Sequence, residues 1–279
     1  MKKLIEGLHR FQTNYFDTHK DLFEELSHGQ QPRVLFITCS DSRIDPNLIT
    51  QANIGELFVI RNAGNIIPPF GATNGGEGAS IEYAISALDI EQIIVCGHSH
   101  CGAMKGLLKM SKLADKMPLV YEWLKQAEAT RRLIIENYSH VPEEDLLNIT
   151  IAENVLTQLE NLNTYPVIRS RLHQRRLSLH GWIYSIESGE ILTYDSVAHD
   201  FVDVENRKND PEYLYNLHPS CSVSKTVGCK IYPMIKNETQ EAKPEKPSEL
   251  TTENINIHLP KSNRLSKEQA ERIYRGSSS

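Results

Sequence analysis

The chain has 279 residues, and 30 Lys and Arg against 36 Asp and Glu give it a formal net charge of -6 at pH 7. Single hydrophobic cores rarely grow beyond about 250 to 300 residues, so this length predicts one main domain, with or without an appendage. The acidic balance gives no electrostatic reason to expect nucleic acid or an anionic membrane as a partner.

Targeting and disulfide signals are missing from the sequence. No apolar run approaches the ~18 residues of a membrane span, and Lys2, Lys3 and Glu6 make the beginning too polar for a signal peptide. The five cysteines are an odd number in a long chain, which is not the pattern of a disulfide framework. We therefore expect a cytoplasmic protein whose thiols are reduced and available to a metal.

Residues 1–30 are predicted to form an N-terminal helical arm. Apolar side chains recur at largely helical spacing from Leu4 to Leu26, and Gly29 with Pro32 ends the pattern. The apolar face of this arm packs either on its own domain or on a second subunit, and the sequence is compatible with both.

Strands and helices alternate after the arm. Apolar, β-branched runs predict strands at residues 33–38, 56–60 and 92–96, with helical patterns at 45–52 and 77–88 between them. This order is typical of an α/β fold with a mainly parallel central sheet flanked by helices.

A glycine-rich loop, residues 68–78, separates the second strand from the next helix. Phosphate-binding loops end in Gly-Lys followed by Ser or Thr, and this loop has no such ending. We interpret it as a turn, with nucleotide binding as the alternative.

More helices and a hairpin complete the predicted domain. Helical patterns cover residues 103–110, 119–137 and 144–163. Two further strands, at 178–186 and 190–194, turn at Ser188-Gly189 and are expected to extend the sheet at one edge.

The character of the sequence changes near residue 200. We predict an α/β domain over residues 31–199 and a C-terminal extension over 200–279, in which the proline-rich part at 236–262 is a flexible linker. A capping-box pattern begins at Ser266 and predicts a short terminal helix. Because so short a helix is unstable alone in water, we expect it to form by docking on a partner; a frayed tail is the alternative.

Side chains of metal-ligand type follow the first strand. Cys39, Asp41 and Arg43 occupy alternate positions, so they point to one side if the extended conformation continues past Thr38. Taken alone, the same pattern is also compatible with an N-capped helix start and a surface ion pair.

The third strand also ends in ligand-type residues, His98 and Cys101. The carboxyl ends of neighbouring parallel strands meet at one edge of a sheet, where open α/β sheets bind their ligands. We therefore expect Cys39, His98 and Cys101 to bind Zn²⁺, for which thiolates and imidazole are typical ligands. Either cysteine alone is also compatible with a small buried hydrophobic residue, which is our interpretation of Cys96.

The fourth zinc position is predicted to hold either water or Asp41. A water there becomes a strong nucleophile near neutral pH, because the metal lowers its pKa. Arg43 can hold Asp41 in a two-point ion pair, which keeps the carboxylate ionised and away from the metal. If this pair breaks, Asp41 is expected to become the fourth ligand and close the site.

Three other residues have open interpretations. His100 lies beside the site and is compatible with a proton shuttle or with a solvated loop histidine, the reading we favour. Cys221 and Cys229 lie in the extension without paired histidines, so we favour free thiols over a second metal site or a disulfide.

The run Cys39-Ser-Asp-Ser-Arg43, together with His98-Ser-His-Cys101-Gly102, resembles the zinc site of the β-class carbonic anhydrases. The resemblance extends from the arm to about residue 197 and includes the runs 61–65 and 82–84. It implies reversible hydration of carbon dioxide to bicarbonate, with one Zn²⁺ per subunit on the three ligands and with Asp41 and Arg43 as a catalytic pair.

The resemblance also implies a substrate pocket and an oligomer. Gln30, Phe58, Tyr83 and Gly102 match pocket positions of the plant-like subgroup, which line a narrow apolar slot shared across a dimer. We therefore expect a homodimer or a higher oligomer of dimers.

The tail is similar to the C-terminal extension of the cyanobacterial carboxysomal members, including the run 271–276. This implies that Arg272, Ile273 and Tyr274 bind the carboxysome scaffold protein that bears a γ-carbonic-anhydrase-like domain. The enzyme would then supply carbon dioxide to ribulose bisphosphate carboxylase (Rubisco) inside the carboxysome.

Two other functions are open at this point. The same site is compatible with hydrolysis of carbon disulfide or carbonyl sulfide. The chain is also compatible with a catalytically silent zinc protein that acts as a carboxysome adaptor through its tail.

Overall fold

The computed structural model describes residues 1–73 and 75–204, and every structural statement refers to these residues. Its strands are β1 (Val34–Cys39), β2 (Leu57–Asn62), β3 (Gln92–His98), β4 (Ser178–Tyr184), β5 (Ile191–Asp195) and β6 (Asp200–Asp203). They form a six-stranded sheet in the order β2-β1-β3-β4-β5-β6. The pairs among β2, β1, β3 and β4 are parallel, whereas β5 and β6 are added antiparallel at one edge.

The helices lie between the strands and before β1. They are α1 (Lys2–Arg10), α2 (Lys20–Ser27), α3 (Pro46–Thr50), α4 (Gly76–Ser86), α5 (Gly102–Leu108), α6 (Pro118–Leu124), α7 (Glu128–Asn137), α8 (Glu143–Leu162) and α9 (Pro166–His173). A π-helical segment, Phe11–Phe16, joins the arm helices, and two 3₁₀ turns, Met110–Lys112 and Lys125–Ala127, flank α6.

The main hydrophobic core lies between one face of the sheet and the helices, with α8 packed on β3 and β4. Glycines at Gly97 and Gly181 allow this helix to approach the sheet closely. A Cβ atom at Gly97 would lie 2.9 Å from Val155 Cγ2, and one at Gly181 would lie 3.0 Å from Val155 Cγ1. The strand that carries His98 is therefore held directly against α8.

The opposite face of the sheet carries a smaller cluster. Phe36, Ile94 and Cys96 are buried there, and Trp182 packs against them with its ring 6.0 Å from that of Phe36. Cys96 is thus a buried hydrophobic residue within its strand, as expected from the sequence.

The N-terminal arm leaves its apolar side exposed within the single chain. No residue of α1, of the π-helical segment or of α2 is buried. Leu4 and Leu8 are 66% and 65% exposed, and Phe11 packs mainly against neighbouring rings of the same arm, such as Phe23. The arm therefore exposes an apolar surface in the single chain.

The predicted fold class is confirmed, since the sheet is mainly parallel and flanked by helices. The predicted stretch 119–137 is two helices, α6 and α7, separated by a 3₁₀ turn. The predicted stretch 144–163 is α8, which ends at Leu162, and Pro166 begins the unpredicted helix α9. The sheet also continues through β6, past the boundary that we predict at residue 199.

Among the helices of the described ranges, none is both long and apolar enough to cross a bilayer.

Candidate metal centre

The sheet brings the ends of β1 and β3 together, as predicted. The two strands are parallel neighbours with Thr38 opposite Cys96, so Cys39 and His98 emerge at the same edge. Cys101 follows one turn later, at the N-cap of α5. One ligand atom from each of Cys39, His98 and Cys101 lies within 4.8 Å of the other two.

The buried imidazole of His98 fits a metal site. Its Nδ1 lies 2.9 Å from the carbonyl oxygen of Ser99, which can only accept, so Nδ1 carries the proton. The other nitrogen, Nε2, is buried and has no hydrogen-bond partner among the described residues. An unpaired buried acceptor costs free energy, and a metal ion between Nε2 and the two thiols would satisfy it.

The two thiols interact with each other. Hydrogen bonding with Cys101 is the largest cause that lowers the pKa of Cys39, and the N–H groups of Gly64 and Asp41 act in the same direction. The same hydrogen bond raises the pKa of Cys101, whereas the N–H groups of Met104 and Ala103 lower it. Backbone N–H groups thus favour negative charge on both sulfurs, and a thiolate is the form that binds metal.

Asp41 and Arg43 meet through a turn and not through a continued strand. β1 ends at Cys39, and the backbone N–H of Arg43 donates to Asp41 Oδ1 at 3.0 Å. The expected alternation past Thr38 is therefore wrong, because the Asp41 carboxylate closes a local turn with the backbone. The N-cap of the following helix is Asp45, whose side chain accepts from Leu48 N–H, and not a residue of the Cys39–Arg43 run.

The Asp41 carboxylate is held in a two-point ion pair. Arg43 Nε donates to Oδ1 at 2.9 Å and Arg43 Nη2 donates to Oδ2 at 2.7 Å. These hydrogen bonds lower the pKa of Asp41 well below its usual range. Asp41 Oδ2 remains 4.0 Å from His98 Nε2, so the ionised carboxylate sits beside the ligand cluster.

Arg61 fixes the backbone on which these residues stand. Its Nε donates to the carbonyl oxygen of Cys39 at 3.1 Å, and its Nη2 donates to that of Asp41 at 2.7 Å. Sequence reasoning did not give Arg61 this role. Its signals were its place directly after the predicted strand 56–60 and its place in the run 61–65, which the resemblance includes.

His100 is tied to a carboxylate. Its Nε2 pairs with Glu187, whose other oxygen accepts from Ser99 Oγ at 2.6 Å. The carbonyl oxygen of His100 accepts from Arg43 Nη2 at 3.3 Å. The Ser99 hydroxyl is the largest cause that lowers the pKa of Glu187, to about 2. Glu187 was missed, because the β4–β5 turn that carries it has no pattern pointing to the site.

The predicted pocket residues lie at the surface of the single chain. The rings of Phe58 and Tyr83 are 6.1 Å apart, with Phe58 half-buried and Tyr83 49% exposed. Gln30 and Gly102 are exposed as well. The structure brings Phe58 and Tyr83 together and places Gly102 at the start of α5, next to Cys101.

The predicted partner-binding residues Arg272, Ile273 and Tyr274 lie outside the described residues, as do Cys221 and Cys229. The expectations for them remain predictions.

Comparison with known proteins gives the family. A family model described as carbonic anhydrase matches residues 34–191, which include all three ligand-type residues. The chain belongs to the β-class carbonic anhydrase family. A carbonic anhydrase of the cyanobacterium Synechocystis sp. is 60% identical over 279 residues, covering 99% of this chain and 100% of the relative. One from Synechococcus elongatus is 54% identical and covers 100% of both chains.

A solved structure of the β-carbonic anhydrase CcaA has the same fold. It superposes with a TM-score of 0.72 at 69% identity, covering 73% of this chain and 98% of that chain. The chain is therefore an enzyme, a carbonic anhydrase, with a Cys-His-Cys cluster that can hold a metal.

Proposed function

We propose that this carbonic anhydrase is a zinc enzyme that holds one Zn²⁺ per subunit on Cys39, His98 and Cys101. The observation that carries the proposal is the buried His98 Nε2, which has no hydrogen-bond partner in the described part of the chain and lies within 4.8 Å of two thiol sulfurs. Two sulfurs and one imidazole nitrogen are a donor set that suits zinc, with a fourth position open in catalytic sites.

The chemistry follows from the groups around that position. A zinc ion there acts as a Lewis acid that makes water nucleophilic near neutral pH. Asp41, whose pKa is lowered, would accept a hydrogen bond from the attacking water and so direct a lone pair of that water toward carbon dioxide. Arg43 keeps Asp41 in this role through its two-point pair, with Arg43 Nη2 at 2.7 Å from Asp41 Oδ2.

The same geometry supports a closed form. When the pair with Arg43 breaks, Asp41 is free to rotate, and its Oδ2 starts only 4.0 Å from His98 Nε2. Asp41 would then be able to hold the metal as a fourth ligand in place of water. In this proposal, the side chain of Asp41 is both the catalytic carboxylate and the inhibitory ligand.

The substrate slot is proposed to be completed by a second subunit. Carbon dioxide is small, linear and apolar, so a narrow slot lined by Phe58 and Tyr83, with Gln30 and Gly102 beside it, suits it. Tyr83 is 49% exposed in the single chain, which leaves an apolar wall uncovered. A dimer covers this wall together with the exposed arm, and we propose a homodimer or an oligomer of dimers.

We further propose that the enzyme works inside the carboxysome and supplies carbon dioxide to Rubisco. The support is the resemblance of the tail, residues 200–279, to that of carboxysomal members, and the match to both cyanobacterial relatives along 99% and 100% of this chain. The catalytic domain is proposed to span residues 31–203, because β6 belongs to its sheet. Arg272, Ile273 and Tyr274 are proposed to dock on the scaffold protein with the γ-carbonic-anhydrase-like domain.

Stopped-flow measurement separates this function from its two rivals. Purified, zinc-loaded protein is expected to hydrate carbon dioxide far faster than buffer and to release little sulfide from carbon disulfide or carbonyl sulfide. Rapid sulfide release with slow hydration would favour the hydrolase. No turnover of any of the three substrates, under reducing and oxidising conditions, would favour a silent adaptor.

A further inference from the structure

The loop after β2 supplies a hydrogen bond to a proposed zinc ligand. The backbone N–H of Gly64 donates to the Cys39 sulfur at 3.4 Å. Such a bond withdraws electron density from a thiolate, so it limits how much negative charge the sulfur passes to a metal. Since two thiolates otherwise weaken the Lewis acidity of zinc, the direction of this single N–H affects the chemistry of the site.

The direction of that N–H is fixed from the other side of the same peptide unit. In a trans peptide the C=O and the N–H point in opposite directions, and the unit is rigid. The carbonyl oxygen of the Ala63–Gly64 peptide is that of Ala63, and it accepts from Trp123 Nε1 at 2.8 Å. By holding the oxygen, the indole of Trp123 aims the Gly64 N–H at Cys39.

The next peptide unit is held as well. The carbonyl oxygen of Gly64 accepts from Asn154 Nδ2 at 2.9 Å, and Gln158 Nε2 in turn donates to Asn154 Oδ1 at 2.9 Å. Gln158 Oε1 accepts from the Ile67 N–H at 2.8 Å, which ties the far end of the loop to α8. Asn154 and Gln158 are both buried, so these amide bonds are protected from water.

The conformation and surroundings of Gly64 leave no space for a side chain. Its φ is +85°, and a Cβ atom would lie 2.8 Å from Met104 Cε and 3.0 Å from Ala103 Cβ on the helix that follows Cys101. The loop backbone therefore packs closely against α5, which has the proposed ligand Cys101 at its N-cap, while the N–H of Gly64 donates to the other sulfur ligand, Cys39.

We propose that Trp123 and Asn154 are positioning residues that hold the two peptides of Gly64, so that its N–H donates to Cys39 and keeps the bound metal electrophilic. This inference rests on the proposed zinc site. It assigns a function in catalysis to two residues that donate hydrogen bonds to carbonyl oxygens of the loop after β2.

The test replaces the indole donor. Trp123→Phe keeps an aromatic ring and removes the N–H, and Trp182→Phe is the matched control. The chain has two tryptophans, and Trp182 Nε1 has no hydrogen-bond partner among the described residues. With Co²⁺ in place of zinc, the sulfur-to-cobalt charge-transfer band reports how electron-rich the thiolates are.

We expect this band to move to lower energy in Trp123→Phe and to stay in place in Trp182→Phe. We also expect kcat for carbon dioxide hydration to fall by about tenfold in Trp123→Phe with KM unchanged, at the lower end of what loss of a ligand's supporting hydrogen bond costs. An unmoved band and unchanged kcat in Trp123→Phe, or equal shifts in both variants, would overturn the inference.

A second variant tests the inference if Trp123→Phe does not fold. Benzothienylalanine, which replaces the indole N–H by sulfur with almost no change of shape, can be incorporated at position 123 in the Trp182→Phe background. The same band shift is expected, and its absence contradicts the inference. If the wild-type protein itself shows no sulfur-to-cobalt band, the proposed metal site fails, which is a different result from a band that is present but does not move.

Discussion

One carboxylate, that of Asp41, is proposed to have two competing positions. It pairs with Arg43 at 2.9 and 2.7 Å, while the same side chain is 4.0 Å from the imidazole nitrogen that faces the ligand cluster. Charge-assisted two-point bonds are among the stronger polar contacts in proteins, which favours the position beside Arg43. Arg61 adds to this by holding the backbone of both Cys39 and Asp41.

Substitution distinguishes the role of Asp41 from that of a ligand. Asp41→Ala is expected to retain zinc and to lose turnover by roughly 100-fold, since it removes a positioned proton acceptor. Cys101→Ala is expected to lose the metal itself. Metal content of the purified variants and stopped-flow hydration check both results. Equal zinc loss in the two variants would instead make Asp41 an obligatory ligand.

Glu187 gives a prediction for the pH dependence of stability. Its pKa is lowered from 4.5 to about 2, mainly by the Ser99 hydroxyl. A carboxyl with a lowered folded-state pKa stabilises the protein above its unfolded-state pKa and loses this contribution as the pH falls through the folded-state value. Glu187→Gln should therefore lower the free energy of unfolding at pH 7, by about 0.5 kcal/mol because solvent screens a half-exposed pair.

Urea unfolding at several pH values measures this difference. The gap between wild type and Glu187→Gln is expected to shrink below pH 4.5 and to vanish near pH 2. Glu190→Gln, on the same turn but without a contact to Ser99, is the control. A gap that widens as the pH falls would contradict the assignment.

The ligand-type residues could be predicted from sequence, but the residues that hold them could not. Cys39, His98 and Cys101 follow apolar strands, and their side chains have the chemistry of zinc ligands. Trp123 and Asn154 reach the site through contacts with backbone atoms that are distant in sequence. Every residue has a backbone carbonyl, so an acceptor of this kind adds no recognisable pattern to the sequence. These contacts could therefore not be predicted from it.

At the scale of elements, the contact between α8 and β3 determines where His98 lies. Gly97 precedes His98 and meets Val155 and Ile151 of α8 without space for a methyl group, since a Cβ atom would be 2.9 Å from Val155 Cγ2 and 3.1 Å from Ile151 Cγ2. Overfilling a packed core costs typically 1–3 kcal/mol. Helix and strand must separate if this glycine is replaced.

Gly97→Ala is accordingly expected to lower the free energy of unfolding by about 2 kcal/mol and to weaken metal binding. Gly76→Ala is the matched control, because a Cβ atom at Gly76 has nothing within 4 Å. Chemical unfolding and competition with a chelator give the two quantities. Stability of Gly97→Ala equal to that of Gly76→Ala would show that the close approach does not constrain the site.

The elements that were missed had weak signals for physical reasons. Helix α9 was missed because proline is a sign that a helix ends, and α8 does end before Pro166; proline is also tolerated in the first turn of a helix, where its missing N–H is not needed. β6 is four residues with an aspartate at each end, too short and too polar for an alternation to appear. Strands β1 and β3, as buried parallel strands, are near-continuous apolar runs and were therefore found to within two residues.

At the scale of the whole molecule, two apolar surfaces are exposed in the single chain. The arm has no buried residue, and Tyr83 of the proposed slot is 49% exposed. Both surfaces are apolar, and both are accounted for by one proposed dimer. The sequence predicted the arm but left its partner open, because an amphipathic pattern shows that a face is covered and not what covers it.

Tail function can be tested apart from catalysis. Deleting residues 264–279 is expected to leave carbon dioxide hydration unchanged and to abolish recruitment to the carboxysome, measured by fluorescence of tagged protein in cells. Alanine at Arg272, Ile273 and Tyr274 should have the same effect, while alanine at the three serines 277–279 should have none. Continued recruitment of the truncated protein would refute the docking helix.

The most direct test of the account is metal analysis of the purified, folded protein together with its hydration rate. We predict one zinc per subunit, loss of hydration when a chelator removes it, and recovery on addition of one equivalent of zinc. Folded protein that contains no metal and still hydrates carbon dioxide at the full rate would contradict the account.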